Sequence, residues 1–462
     1  MYETHTIQAK IKLLLTILTP ILITQIGMYS MNFFDTIMSG KAGPNQLAGV
    51  AIGSSIWVPV FTGLNGILMA ISPIVAQLKG AKKEEDIAPS VIQGVYLAII
   101  LAVTVGITGY FLLDPALHLL DIDPEVSHVA KYYLITLGTG IIPLFVFNIL
   151  RSFVDALGIT RISMFIILLS LPVNILFNYV LIFGKFGLPA LGGIGAGLAS
   201  ALTYWTSLII ILIVIAKVKP LTSYHLMSTR IAPSLKEWWE QLTIGIPIGF
   251  AIFFETSIFA AVTFFMTAYD TNTIAAHQAA INFASFLYMI PLSIAFSLTI
   301  AVGFEAGAKR ERDAKTYSYL GIILAVGFSI IAGVILYVLD DQVARLYSSN
   351  QKVIELTKHF IYYAIFFQLS DAFGAPIQGV LRGYKDVNIT LVMAFISYWV
   401  IGLPSGYLLA THSSLGPFGY WMSLIIGLTA GAVCLLCRML ILQKKRARRL
   451  KYKKEAGPSL EP

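Results

Sequence analysis

The chain has 462 residues, of which 57% are hydrophobic and only 12% charged. Soluble proteins carry about 25% charged residues, so a water-soluble globule of this composition could not cover its surface. Two cysteines in one apolar stretch, Cys434 and Cys437, exclude a disulfide scaffold and a zinc module, and the formal net charge of +8 acquires its meaning only from where the charges fall.

A hydrocarbon core about 30 Å thick takes roughly 20 apolar residues of helix to cross. Twelve such runs follow one another, near 11–38, 48–76, 91–113, 130–153, 161–183, 194–217, 241–267, 274–304, 317–339, 357–381, 387–410 and 418–442. They are continuous rather than alternating, which excludes an outer-membrane barrel. Residues 1–10 are polar, the first run is longer than a signal-peptide core, and no small-residue cleavage site follows it, so no cleavable signal is expected. The expectation is an all-α integral membrane protein of twelve transmembrane helices.

Lysine and arginine set the orientation. With the N-terminus inside, 26 of the 32 basic residues fall in cytoplasmic segments, and Lys41, Lys131, Lys185, Arg345, Lys352 and Lys358 remain outside. Both ends are then cytoplasmic. Lys444–Lys454 holds eight basic residues in eleven, a juxtamembrane cluster suited to anionic lipid. No aromatic or groove-reading motif accompanies it, so nucleic acid is not an expected partner.

The two halves of the chain echo each other at an offset of 227 residues. Thr16, Ile17, Pro20 and Ile21 recur as Thr243, Ile244, Pro247 and Ile248, and Thr36, Asn45 and Ala48 as Thr263, Asn272 and Ala275. Gly80-Ala81-Lys82 with Glu84 and Asp86 recurs as Gly307-Ala308-Lys309 with Glu311 and Asp313. Near the end of the fourth run the matching glycines, Gly158 and Gly383, suggest a change of offset to 225. Six spans and six more, each set starting inside, make a parallel repeat, a plan of secondary transporters with sites near mid-membrane. The expected division is an N-terminal bundle 1–216, a cytoplasmic linker 217–240 carrying a short surface helix, a C-terminal bundle 241–443 and a basic cytoplasmic tail 444–462. Pro20 and Pro247 are expected to kink equivalent helices and are candidate hinges. Gly193 and Gly197, four apart, read as close helix packing.

Asp35, Glu255 and Asp371 fall deep inside apolar runs. Each costs about 2.5–3.5 kcal/mol at the centre of a span, which marks them as functional candidates. None has a basic residue one helical turn away on its own helix. A buried acid without such a partner takes a proton or recruits a cation. Asn174 and Asn178 lie one turn apart in the fifth run and offer amide oxygens, which suit a hard monovalent cation beside Asp35. Glu255 and Asp371 form a second candidate site, with Gln278 and Asn282 as polar neighbours. Arg151 and Asp155, four apart, are expected to pair as a structural clamp.

Together these residues resemble the multidrug and toxic compound extrusion (MATE) transporters, most closely their bacterial NorM-like branch, over about residues 10–440. The resemblance implies a V-shaped pair of six-helix bundles that exports organic, often cationic, drugs in antiport with Na⁺ or H⁺, without a further cofactor. It implies coupling roles for Asp35, Asn174 and Asn178 in the first half and for Glu255 and Asp371 in the second. Close relatives often have a tyrosine one turn before the acid of the tenth helix, where this chain has Phe367, which leaves both Na⁺ and H⁺ open. A drug would settle among Met28, Met31, Phe253, Phe254, Phe366 and Phe367, whose aromatic faces and thioethers suit planar cations. A monomer in the inner membrane of a bacterium is expected.

Other classes fit less well. A lipid-linked precursor flippase of related fold would need basic residues in its cavity, and the membrane-embedded charges read here are acidic. An intramembrane aspartyl protease is not supported, because Tyr269-Asp270 lies in an outside turn and no Gly-x-Gly-Asp follows. A nucleotide-driven pump would need a Gly-x-x-x-x-Gly-Lys loop, which this chain lacks. The protein is expected not to be an enzyme.

Overall fold

The computed structural model describes residues 3–119 and 122–455, with side chains up to residue 449. Among these residues every regular element is helical. The first six long helices are α1 (Ile7–Ala42), α2 (Pro44–Gly80), α3 (Glu84–His118), α4 (Pro124–Gly138 with Ile141–Ala156), α5 (Thr160–Phe183) and α6 (Gly193–Lys217). The second six are α7 (Leu235–Met266), α8 (Thr271–Gly307), α9 (Glu311–Val338), α10 (Gln351–Gly383), α11 (Asn388–His412) and α12 (Phe418–Glu455). Each of the twelve expected runs coincides with one of them. Ten are long and apolar enough to cross a membrane alone, and the two segments of α4, bent by 50°, make an eleventh. The twelfth, α10, has the length at 33 residues, but its ionisable side chains, Asp371 and Arg382 among them, lower its hydropathy. Large apolar side chains such as Phe111, Ile213 and Val338 are exposed, as a lipid-facing surface requires.

Backbone geometry corrects the repeat. Lys82, Gly158, Lys309 and Lys385 all adopt left-handed backbone, with φ of 59°, 81°, 59° and 60°. Each ends a helix in the same way. Its own N–H bonds the carbonyl three residues back, and the next N–H bonds the carbonyl five residues back from itself. Gly158 therefore corresponds to Lys385, not to Gly383, and the offset of 227 holds through the fourth helix of each half. The matching glycines misled because a left-handed cap accepts glycine in one half and a long polar side chain in the other.

The chain packs as two compact units. One is Thr19–Gly249; the other combines the described residues before Thr19 with those from Phe250 onward. The division thus falls inside α1 and inside α7, beside Pro20 and Pro247, rather than in the linker. In the first unit the linker is fastened to the start of α3: Gln93 donates to the Ala232 carbonyl (2.7 Å) and accepts from the Ser234 N–H (3.0 Å). Only one short turn, Leu221–Tyr224, stands in for the expected surface helix, and Lys79 donates to its Tyr224 hydroxyl (2.8 Å). In the second unit the residues just before α1 and its first turn are held by the equivalent region. Lys10 pairs with Asp313 (3.0 Å), and the Thr4 and Tyr317 hydroxyls bond (2.9 Å). The basic tail is a continuation of α12 as far as Glu455, with Arg446 donating to Glu311 (2.7 Å); 456–462 lie outside the described residues.

The core of the first unit centres on Phe145, Ile149 and Phe153 of α4, packed with Val75, Val91 and Ile211. Phe360, Trp421 and Leu424 centre the second. Gly193 and Gly197 behave as close-packing positions. A side chain at Gly193 would meet Val129 and the Gln46 carbonyl, and one at Gly197 would meet Tyr133 and Thr136. Gly197→Leu should therefore push α6 off α4 at a cost of about 1–3 kcal/mol or more. A lower midpoint of thermal unfolding in detergent than for the parent chain checks this.

Candidate functional site

In the first unit three helices meet at Asp35 of α1. Asn178 of α5 donates its Nδ2 to Asp35 Oδ1 (2.5 Å), and Ser200 of α6 donates to Oδ2 (2.9 Å). The same Asn178 amide donates to Asn174 Oδ1 (3.2 Å), one turn earlier on the same face of α5. All four side chains are buried. The Asn178 carbonyl oxygen has no hydrogen-bond partner among the described residues. The sequence-derived trio is thus brought together, with Ser200 added. Asp35 here receives an amide N–H and a hydroxyl, and carboxylate, amide and hydroxyl groups are residue types able to ligate a hard monovalent cation or to hold a proton.

Asp35 borders a cavity of about 290 Å³ lined by residues of this unit. Met28 and Met31 line it together with Trp57, Phe61, Tyr133 and Tyr204. Asp35 is the one charged side chain among the described lining residues, and no lysine or arginine faces the space. Its walls combine aromatic rings and thioethers, which attract organic cations, with amide and hydroxyl groups such as Asn32, Asn148 and Thr203.

The second unit treats its acids differently. Glu255 of α7 accepts from the Tyr288 hydroxyl (3.0 Å) and from Gln378 Nε2 (3.2 Å), and Arg382 donates to Gln378 Oε1 (3.0 Å). Asp371 is buried within electrostatic reach of Glu255. Arg382 is only 4% exposed, which corrects its placement in a cytoplasmic loop and the expectation that the embedded charges are all acidic. The run read as ending at 381 continues by two residues, and those two residues bring the guanidinium inside. Arg151 and Asp155 interact electrostatically without closing to salt-bridge distance, and Arg151 donates to the Met28 sulfur at 3.0 Å.

The expected drug-lining residues separate. Met28 and Met31 line the Asp35 cavity. Phe254 packs at a tilt against Phe395 (5.1 Å) on a π-helical stretch of α11, Phe395–Gly402, and Phe253 next to it is exposed. Gln278 and Asn282 are exposed and bond each other (3.4 Å). Phe367 is core, packed on Phe259 and Trp421, whereas Phe366 points the other way into an apolar groove of about 400 Å³ with Phe373 and Leu436. Neighbours on a helix diverge by 100°, so one site cannot take both phenylalanines. Ser200, Tyr288 and Gln378 were not foreseen; lone polar residues in apolar runs carry no signal of which acid they will face.

The MatE family model matches this chain twice, at residues 20–180 and 247–408, the two copies of the repeat. A protein of Oceanobacillus iheyensis named "Probable multidrug resistance protein NorM" is 60% identical over 445 residues, covering 96% of this chain and all of that protein. A Bacillus subtilis protein of the same name is 57% identical over 96% of this chain and 98% of its own. Among solved structures, the eukaryotic MATE transporter AtDTX14 superposes with a TM-score of 0.85 over 96% of this chain and 98% of that one, at 23% identity. An outward-facing multidrug resistance MATE family transporter gives the same TM-score at 20% identity, over 94% and 96% of the two chains. These structures establish the shared fold. The chain belongs to the MATE family of multi-pass membrane transporters and is not an enzyme.

Asn178→Ala should leave Asp35 Oδ1 without its donor. A hydrogen bond to a charged group contributes about 1.5–3 kcal/mol, so dye efflux from intact cells should fall by about tenfold or more. Ser200→Ala should have the same direction and a smaller size, with the amount of protein in the membrane unchanged in both variants.

Proposed function

We propose that this multidrug efflux transporter works as an antiporter, exporting organic, often cationic, compounds in exchange for inward Na⁺ or H⁺ by alternating access, with Asp35 as the principal exchange site. The observation that carries the proposal is the Asp35 cavity, in which a single carboxylate shares the space with aromatic and thioether groups and no lysine or arginine is among the described lining residues. An isolated acid there needs a positive partner, and two are on offer: the coupling ion and the drug. Whichever one occupies the site removes the charge that attracts the other. Binding is then mutually exclusive, which is the condition for exchange rather than co-transport.

Asn174, Asn178 and Ser200 hold the carboxylate in place and supply oxygen for the ion, while Met28 and Met31 contact the drug. Glu255 and Asp371 form a second coupling pair. Pro20 and Pro247 serve as hinges, a role supported by their position where α1 and α7 pass from one compact unit to the other. The distribution of lysine and arginine supports cytoplasmic termini, and the relatives support the inner membrane of a bacterium. We infer a monomer.

Efflux from vesicles under an imposed Na⁺ or pH gradient tests the proposal. Asp35→Asn should lower gradient-driven efflux by about tenfold or more, as loss of a charge-assisted contact predicts. Glu255→Gln and Asp371→Asn should impair it as well. Full gradient-driven efflux in all three variants would overturn the coupling role of these acids.

A further inference from the structure

The apolar groove of about 400 Å³ that takes Phe366 lies between α10 and α12 of the second unit, and the internal repeat accounts for it. Gly192 and Gly416 stand just before the sixth helix of their halves with left-handed backbone, φ of 56° and 52°. Each accepts the N–H three residues on at 3.0 Å, so the sixth helices correspond at an offset of 224. Trp205 then matches Thr429, while the offset of 227 matches Thr139 and Gly140 with Phe366 and Phe367. In the first unit α4 and α6 close on each other. A side chain at Gly140 would meet the Ala201 backbone, and the Trp205 indole N–H donates across to the Thr139 carbonyl at 3.2 Å. In the second unit Phe367 replaces that glycine and packs inward on Phe259 and Trp421, which keeps α10 and α12 apart. Thr429 is too small to bridge the gap as Trp205 does, and a groove results.

The groove follows α10 from Phe366 to Ile377 and α12 from Ile425 to Leu436, about 16 Å at 1.5 Å per residue. Its volume over that length makes a channel about 5–6 Å across, room for one hydrocarbon chain but not for a helix, which is about 10–12 Å wide. The Ser370 and Thr429 hydroxyls on its wall bond each other at 2.8 Å, so they are satisfied without a ligand. Phe366 and Val433 remain 62% and 55% exposed.

Beyond Leu436 the face of α12 turns from apolar to basic: steps of four residues lead to Leu440, Lys444 and Arg448. Asp386 accepts from Arg438 (2.7 and 2.9 Å) and Glu311 from Arg446 (2.7 Å). Lys444 and Arg448 are exposed, and among the described residues no acid pairs with either. Lys444 lies about 12 Å past Leu436, and side chains on a helix lean toward its N-terminus, so the ammonium reaches back toward the groove.

We propose that the groove and the basic turns beyond it bind one anionic phospholipid, with an acyl chain along Phe366, Phe373 and Val433 and the phosphate at Lys444 and Arg448. A zwitterionic lipid fits the groove equally well but lacks the net charge that the basic face complements. The site uses neither acid cluster and does not depend on the transport reading.

Native mass spectrometry of the full chain in detergent, titrated with phosphatidylglycerol or with phosphatidylcholine of the same acyl chains, provides the test. The wild type should hold one phosphatidylglycerol with about tenfold or higher affinity than phosphatidylcholine, the scale of two basic contacts with an anionic lipid. Phosphatidylglycerol with a diazirine in its acyl chain should crosslink to peptides within 366–377 and 425–436. Lys444→Gln with Arg448→Gln should abolish the preference and leave the weaker binding common to both lipids. Lys445→Gln with Arg449→Gln removes as many charges from another face of α12 and should keep most of the preference. Thr429→Trp, which supplies the residue of the first half, should cut crosslinking in the groove by about tenfold or more. Val433→Trp should do the same without touching the Ser370 bond, so the answer survives if the threonine variant does not fold. Equal affinity for the two lipids in the wild type, equal loss of preference in the two double variants, or crosslinking unchanged in both tryptophan variants would overturn the proposal. So would a dimer in lipid-free detergent that Val433→Trp disperses, which would give the groove to a second copy of the chain.

Discussion

A carboxylate held in a bilayer must be provided for, and the arrangement at its site follows from how that is done. Moving it out of water costs several kcal/mol, which only hydrogen bonds and an opposite charge can offset. Asp35 receives two donors, Asn178 and Ser200, and no resident cation. Glu255 receives Tyr288 and Gln378 and, through Gln378, an arginine. No basic side chain lines the Asp35 cavity among the described residues, whereas a buried arginine reaches Glu255 through Gln378. The two repeats therefore share a scaffold and differ in their electrostatics.

The scaffold explains how donors from distant parts of the sequence reach one acid. Small residues let α6 approach α4 closely, which seats Ser200 opposite Asp35, while the four-residue spacing on α5 presents Asn174 and Asn178 together. Left-handed caps at Lys82, Gly158, Lys309 and Lys385 end corresponding helices at the same place in both halves. The linker is fastened to Gln93, and the start of α1 with the residues before it to Asp313 and Tyr317, so each compact unit holds the first turns of a helix whose remainder belongs to the other.

Much of this was legible in the sequence, for identifiable reasons. Twelve apolar runs, the parallel repeat and the three embedded acids follow from the cost of polar groups in lipid, which leaves a plain mark in composition. Asn174 and Asn178 were legible because helical periodicity puts them on one face. Ser200, Tyr288 and Gln378 were not, because their partners lie on other helices and pairing between helices leaves no periodic trace. Arg382 was misplaced by the two residues that separate 381 from the end of α10 at Gly383. Arg151 keeps an electrostatic interaction with Asp155, as the spacing allows, but its hydrogen bond goes to Met28, on another helix. Phe366 and Phe367 were read as a pair, although adjacent positions on a helix face different surroundings.

Mutual exclusion at Asp35 is the centre of this account, and an equilibrium competition measures it most directly. Binding of the lipophilic cation tetraphenylphosphonium to the purified protein would be titrated at increasing Na⁺ and at decreasing pH, for the wild type and for Asp35→Asn. The account predicts that the apparent Kd of the wild type rises in proportion to the concentration of whichever ion is coupled, and that Asp35→Asn loses this dependence. An apparent Kd that is independent of both ions in the wild type, or the same dependence in Asp35→Asn, would contradict it.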